Sequence, residues 1–338
     1  HLAVLSFGIG LIGLEFANIF VNALLPDLAP RDEIGRISGS GFAFGYLGGL
    51  VSLAIMLLFL AEGAETGRTL LGIPPILGLD PLLREGTRAA GPFTALWYLL
   101  FMIPFALWVR ETPGPRAPLR LGAAMADLWR LLISLRHRRS LRAWLLSSMF
   151  LRDALNALYA FGGIFAGTVL GWPVIWAGAF GIVSAISAAI VSWIGGRADR
   201  RWGPKPVIII STLVLTAVCV LIAGLGRQQV FGLPLSAESR LPDVLFFLCG
   251  ALIGGAGGAL QAAARTMMVR HTTPQRATEA FGLYALSGKA TAFLAPLLIA
   301  VVTDLTGNPG LGVSPLIVIF LLALILLGWV KPTGEAQQ

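Results

Sequence analysis

The residues most able to do chemistry are charged side chains inside long apolar segments. Arg265 and Lys289 lie in the two apolar segments that flank the basic turn 269–276. Burying an ion in hydrocarbon is costly, so such a side chain normally faces a bundle interior or an aqueous cavity. We therefore expect both cations to line a solute pathway. For Arg265 the alternative is that its side chain snorkels to the headgroups near Arg270, whereas Lys289 lies about 18 Å of helix from either end of its segment, too far to snorkel.

A polar stripe is predicted on the first apolar segment. Glu15, Asn18 and Asn22 are spaced i, i+3 and i+7, which places a carboxylate and two amides on one helical face. A pathway role is one interpretation of this stripe. The alternatives are hydrogen bonding between helices for the two Asn residues and charge pairing for Glu15.

A second polar cluster lies in the fourth apolar segment, where Arg152 and Asp153 are followed by Asn156. Adjacent helical residues point about 100° apart, so Arg152 and Asp153 need not pair with each other. Asp153 could meet a cation of another helix on the pathway. The alternative is an internal salt bridge that only holds the bundle together.

The composition identifies the class of protein that carries these residues. The chain has 338 residues, of which 56% are hydrophobic and only 12% charged, and this predicts an integral membrane protein. Two cysteines in apolar segments and three scattered histidines suggest no disulfide framework, metal site or cofactor. The net charge of +8 comes from arginines in loops beside the apolar segments, which indicates membrane topology and not nucleic-acid binding. The expected partners are lipid and a small-molecule substrate.

Nine segments are long enough to cross a hydrocarbon core of about 30 Å as helices. They are residues 1–25, 37–61, 91–109, 145–170, 173–194, 206–225, 244–268, 277–302 and 314–330.

The basic loops predict the orientation of these segments. The connection 111–144 carries seven arginines and should be cytoplasmic, and counting crossings puts the basic loops 195–205 and 269–276 on the same side. Within the connection, Leu121, Met125, Leu128, Leu132 and Leu135 have helical spacing. We expect an amphipathic helix on the membrane surface there, with partner binding as the alternative.

The same counting places His1 outside, although a protein of this kind usually begins in the cytoplasm. The chain also begins within an apolar segment and lacks an initiator Met. We expect it to be truncated, with three spans missing upstream from a protein of twelve. Residues 1–110 would then hold the last three spans of a first half-bundle, 111–144 the cytoplasmic connection, and 145–338 a second half-bundle of six spans.

The loop GGRADRRWGPK (195–205) resembles the cytoplasmic signature loop of the major facilitator superfamily. Asp199, Arg200, Gly203 and Lys205 match that pattern, with one extra residue before the glycine. Within the superfamily, FVNALLPDLAP, GYLGGL, LRDALNALYAFGGIFA and FGLYALSGKATAFLAPLL are similar to the branch of vacuole effluxers and their bacterial relatives. The similarity covers essentially the whole chain.

This resemblance implies an all-α bundle that works by alternating access, with this chain as helices four to twelve. It implies a cytoplasmic gating role for Asp199, Arg200, Gly203 and Lys205, and a small polar solute as substrate, amino acids being the best-known case. We expect a monomer in a bacterial inner membrane, not an enzyme, with a proton as the candidate coupling ion. The alternatives are a proton-coupled exporter of amphipathic compounds and a sensor or channel that does not act as a carrier.

Overall fold

The described part of the chain folds mostly into α-helices. The computed structural model describes residues 2–63, 66–109, 122, 129–130, 132–236 and 238–335. The helices are α1 (Leu2–Ala23), α2 (Leu25–Leu28), α3 (Ile34–Ile55), α4 (Glu85–Arg88), α5 (Ala90–Trp108), α6 (Arg139–Thr168), α7 (Val174–Trp202), α8 (Pro204–Ala223), α9 (Leu241–Arg270), α10 (Ala277–Ala290), α11 (Leu294–Thr306), α12 (Pro309–Gly312) and α13 (Ser314–Gly328). A short antiparallel hairpin, β1 (Gln229–Val230) and β2 (Leu233–Pro234), follows α8.

The helices are long enough to span a membrane. Eight helical segments of the described chain have the length and apolar composition needed to cross a bilayer, and the 30-residue helix α6 has the length but is less apolar. The predicted all-α membrane fold is therefore confirmed. The count of nine spans, and their numbering as helices four to twelve, stays a prediction.

One predicted span differs from expectation because it is broken. The sequence predicts a single segment over 277–302, whereas the structure ends α10 at Ala290 and begins α11 at Leu294. Pro296 explains the break. It has no N–H to donate to the carbonyl of Ala292, four residues earlier, and its ring disfavours a helical turn at that point. Lys289 consequently lies in the last turn of a half-helix.

The core lies among the helices that follow residue 138. Large side chains that are fully buried there include Trp144, Phe165, Phe246, Phe281 and Phe320. Helix α9 packs most closely on α7. At Gly254, a Cβ atom would lie 2.1 Å from the carbonyl oxygen of Ser184, so only glycine permits this approach of the two backbones.

The chain divides into two compact units. The larger comprises His1–Phe44 with Ala124–Gln338, and the smaller is Gly45–Ala123. In the smaller unit, the buried carboxylate of Glu62 accepts hydrogen bonds from Arg84 and from the backbone and hydroxyl of Thr87. Most of the predicted amphipathic helix, including Leu121, Met125 and Leu128, lies outside the described residues. The predicted domain limits 1–110, 111–144 and 145–338 stay predictions.

Candidate functional site

One cavity of the larger unit collects most of the predicted pathway residues. It has a volume of about 430 Å³ and is lined by side chains of α1, α3, α6, α9 and α10. Seven of the eight predicted residues line it: Glu15, Asn18, Asn22, Arg152, Asn156, Arg265 and Lys289. Residues that precede the long connection and residues that follow it therefore meet around the same space.

Glu15 and Lys289 form an ion pair in this cavity. The Lys289 Nζ atom lies 2.6 Å from Glu15 Oε1, and the side chains keep 63% and 40% of their exposure. The pair joins α1 to the last turn of α10, next to the break before α11. A pair this exposed within a cavity can exchange partners at low cost, since neither ion is sealed inside packed protein.

Arg265 is held by neutral groups. Its Nη1 donates to Asn22 Oδ1 at 3.1 Å, its Nε to Ser38 Oγ at 3.1 Å, and its Nη2 to the Ser38 carbonyl at 2.9 Å. The guanidinium also lies over the ring of Phe42, 4.4 Å from the centroid, as in a cation–π contact. Within the described residues, no carboxylate contacts Arg265. Snorkelling toward the headgroups is not what the structure shows.

Arg152, another cation of this cavity, is also held by neutral groups. Its Nε donates to the Ser148 carbonyl at 3.3 Å, and its Nη2 donates to Ser287 Oγ at 3.0 Å and to the Tyr284 carbonyl. Its guanidinium lies 3.9 Å from the centroid of the Tyr284 ring. In the described chain, this cation too contacts no carboxylate, and it does not pair with Asp153.

Asp153 lies outside the cavity. Its side chain is buried and accepts a hydrogen bond of 3.2 Å from the backbone N–H of Ala295, at the start of α11. Its Oδ1 has no hydrogen-bond partner among the described residues. The structure therefore shows Asp153 joining α6 to α11, with no cation in contact within the described chain.

Several cavity groups could not be identified from residue type. Ser38 and Phe42 lie in a glycine-rich segment that predicts only close packing, and the Tyr284 carbonyl is a backbone group with no signature in the sequence. Phe281, Tyr284 and Leu155 provide an apolar wall. The described lining of the cavity has three cations, one carboxylate, amide groups and aromatic faces, which suits a small solute with a charged end and an apolar part.

The predicted gating residues lie together at the turn between α7 and α8. Asp199 is buried, and a Cβ atom on Gly35 would touch its carboxylate, so α3 lies directly against it. Arg200 forms an ion pair with Glu33, just before α3. Gly203 has a φ of +86°, a conformation that favours glycine, and ends α7. Lys205 donates to the Val330 carbonyl at 2.8 Å.

Contacts near this turn join the segment 31–39 to the helices after residue 138. Ser38 Oγ donates to the Ala262 carbonyl at 2.7 Å, and Arg31 donates to the Thr272 carbonyl at 3.4 Å. At Gly39, a Cβ atom would lie 2.5 Å from the backbone of α7. The segment around Ser38 is thus packed directly against α7 and α9.

Comparison with known proteins identifies the family. The model of the vacuole effluxer Atg22-like family matches residues 1–337. The uncharacterized MFS-type transporter YxiO of Bacillus subtilis is 26% identical, over 100% of this chain and 73% of its own length. Autophagy-related protein 22-1 of Aspergillus niger is 23% identical, and autophagy-related protein 22 of Coccidioides immitis is 24% identical, each over 86% of this chain. The matches span 45% and 47% of those fungal proteins, about half their length.

A solved structure shares the fold. The crystal structure of FucP, a major facilitator superfamily transporter in the outward conformation, matches with a TM-score of 0.64 at 13% sequence identity. The match covers 92% of this chain and 71% of FucP. The predicted major facilitator bundle is therefore confirmed, and the chain belongs to the Atg22-like vacuole effluxer family.

Proposed function

We propose that the chain is a secondary active transporter that moves a small polar solute through the cavity around Glu15, Arg152, Arg265 and Lys289 by alternating access. The observation that carries this proposal is the cavity itself, in which cations from three helices after the connection face a carboxylate from α1. Charged groups at this depth are costly unless they serve a solute pathway or pair with each other. The family supports transport as the general activity.

The charges of the cavity support a solute that carries a carboxylate. The one carboxylate of the cavity already faces Lys289, while Arg152 and Arg265 are positioned by carbonyls, hydroxyls and an amide. A guanidinium fixed in this way keeps N–H groups that can form charge-assisted hydrogen bonds with a carboxylate. Amino acids fit this scheme, since Glu15 can receive the ammonium group when Lys289 moves away. Glu15 is also the candidate site for a coupling proton.

The gating proposal rests on the turn at Asp199. The ion pair between Arg200 and Glu33 and the packing of Gly39 on α7 join the start of α3 to the end of α7. We assign these contacts to the cytoplasmic gate, in the orientation that the basic loops predict. Opening this gate requires that Asp199, Arg200, Gly203 and Lys205 change their partners while the other end closes. We place the protein, as a monomer, in a bacterial cytoplasmic membrane, because a Bacillus subtilis relative matches the chain over its whole length.

Counterflow in proteoliposomes tests the proposal. The purified chain is reconstituted into vesicles preloaded with one of four solutes: L-alanine, L-leucine, L-glutamate or L-lysine. We expect saturable exchange of external labelled solute for at least one solute that carries a carboxylate. The double variant Arg152→Gln/Arg265→Gln should lose this exchange, whereas Arg142→Gln, an exposed arginine outside the cavity, should keep it.

The outcomes separate a carrier from the alternatives. A channel would give flux that neither saturates nor shows counterflow. A sensor would bind a solute, detected as a rise in melting temperature, without any flux. Equal counterflow in the wild type and in the folded double variant would contradict the assignment of this cavity as the solute site.

A further inference from the structure

A second cavity lies at the ends of helices that follow residue 138. It has a volume of about 620 Å³ and is open to the surroundings at the ends of three helices. Arg138 comes just before α6, Thr272 and Thr273 form the turn after α9, and Arg276 directly precedes α10. Among the residues that the structure describes, it shares no lining residue with the solute cavity.

One side of this cavity is basic. Arg130, Arg138 and Arg276 line it together with the hydroxyl-bearing Thr272 and Thr273. Arg138 is fixed in place because its Nη2 donates to the His271 carbonyl at 2.9 Å. Arg276 keeps 62% of its side-chain exposure beside Glu279, at 3.4 Å, so it can turn toward a ligand in the cavity. Such a group of arginines suits a phosphate, which accepts several hydrogen bonds at once.

An internal carboxylate shows that oxyanions are accepted at the margin of this cavity. Glu335, near the end of the chain, accepts hydrogen bonds from the backbone N–H groups of Ser140 and Leu141, at 3.0 and 3.2 Å. Glu335 is itself a lining residue. The carboxylate thus occupies the N–H groups of the first turn of α6, whereas Arg276 directly precedes α10.

The other side of the cavity is apolar. Leu141, Met268 and Leu283 are buried residues that contribute to its lining, and Ala280 extends this surface. Leu141 and Met268 belong to end turns of α6 and α9, and Ala280 to the first turn of α10, so the cavity lies at headgroup depth. A free inorganic anion would use only the arginine side. A phospholipid would use both sides, with its phosphate on the arginines and its glycerol and upper acyl chain on the apolar wall.

We propose that this cavity binds the headgroup of an anionic phospholipid from the adjacent leaflet. Basic pockets between transmembrane helices at the cytoplasmic side bind such headgroups in other membrane proteins. The site joins the starts of α6 and α10 to the end of α9, so a bound headgroup would hold these three helix ends together. It is independent of the substrate proposed above, because no residue of the solute cavity takes part.

Lipid titration tests this proposal. The full chain, purified in a neutral detergent, is titrated with short-chain phosphatidylglycerol, phosphatidylcholine or inorganic phosphate, and the melting temperature is recorded. We expect phosphatidylglycerol to raise the melting temperature at concentrations where the other two probes have no effect. Each arginine near the headgroup attracts its negative charge. Arg138→Gln or Arg276→Gln should therefore weaken the binding of phosphatidylglycerol about five-fold, and the double variant about thirty-fold.

The matched control is Arg139→Gln, which removes the same charge from the neighbouring residue, outside the cavity lining. It should bind phosphatidylglycerol like the wild type. If Arg138→Gln folds poorly, Arg276→Gln decides alone, since the side chain of Arg276 forms only an exposed ion pair with Glu279 within the described chain. Equal effects of phosphatidylglycerol and phosphatidylcholine, or equal weakening by the control, would overturn the proposal. Equal stabilisation by inorganic phosphate would identify a free anion as the ligand and overturn the lipid assignment.

Discussion

Lys289→Ala should abolish solute counterflow while leaving the protein folded. The distance of 2.6 Å between Lys289 Nζ and Glu15 Oε1 shows a true ion pair, but the side chains keep 63% and 40% of their exposure. Exposed pairs contribute about 0.2–1 kcal/mol to the free energy of unfolding. Breaking a fully buried pair costs about 3–5 kcal/mol, because the remaining ion is stranded. The side-chain exposure of both partners places this pair near the lower range.

The expected loss of stability is therefore at most about 1 kcal/mol. For a domain of 150–250 residues this corresponds to a fall of about 2–4 °C in melting temperature, and for this longer chain to no more than that. Counterflow should nevertheless be abolished, which a loss of stability this small cannot explain. The reason is that Lys289 offers its charge to the solute, or releases Glu15 for it, in a step that Ala cannot perform.

A double-mutant cycle measures the pair directly. The variants Lys289→Ala, Glu15→Gln and their combination are compared for melting temperature in detergent and for counterflow in vesicles. Lys331→Ala is the matched control, because Lys331 lies outside the cavity and contributes a backbone N–H, but no side-chain contact within the described chain. A coupling energy of 3–5 kcal/mol with a depressed folded yield would make the pair structural. Unchanged counterflow in well-folded Lys289→Ala would refute the solute-binding role.

Three further predictions test the packing and the titration of particular residues. Gly288→Ala would place a Cβ atom 2.3 Å from the Arg152 guanidinium carbon, so solute affinity in counterflow should fall about ten-fold or more with little change in melting temperature. Gly39→Ala would force α3 away from the backbone of α7 and should lower the free energy of unfolding by about 1–3 kcal/mol in denaturation experiments. Gly45→Ala is the control and should not lower it, because a Cβ atom there meets nothing within 4 Å. Burial lowers the pKa of His271, so the folded state favours the neutral imidazole. The stability of the folded protein should therefore be fully present above about pH 6.5 and fall as the pH drops through the lowered pKa. His271→Gln should flatten this pH dependence in thermal melts.

The sequence predicts the fold class and the cavity residues because burying a charge in a bilayer has a large and general cost. That rule identifies Glu15, Arg152, Arg265 and Lys289 without any knowledge of how the helices pack. It applies equally to Asp153, which the structure places outside the cavity, on the N–H of Ala295. Composition cannot distinguish a charge that faces a pathway from one that accepts a hydrogen bond from a neighbouring helix, since in both places the charge is kept away from the lipid.

The sequence does not predict the partners of the cations, for a physical reason. Arg265 is held by Ser38 and Asn22, and Arg152 by backbone carbonyls, and such neutral acceptors occur in every segment of the chain. The sequence does not predict the break beside Lys289 either. Pro296 is a signal for it, but helix-breaking residues are common in membrane helices and many leave the helix continuous, as Pro104 does within α5.

The central claim is that the cavity holds the solute and opens in turn to each side of the membrane. Asn156→Cys tests it most directly, because Asn156 is exposed, lines the cavity and follows Arg152 by one helical turn. The two native cysteines are fully buried, which keeps background labelling low. Glu238→Cys, exposed in the loop before α9, is the control.

In proteoliposomes, an impermeant thiol reagent is applied from one side at a time, with and without a solute that shows counterflow. The account predicts that Asn156→Cys reacts from both sides and that the solute slows its reaction, while Glu238→Cys reacts from one side at a rate that the solute does not change. Reaction of Asn156→Cys from one side only, or at the same rate with and without the transported solute, would contradict the account.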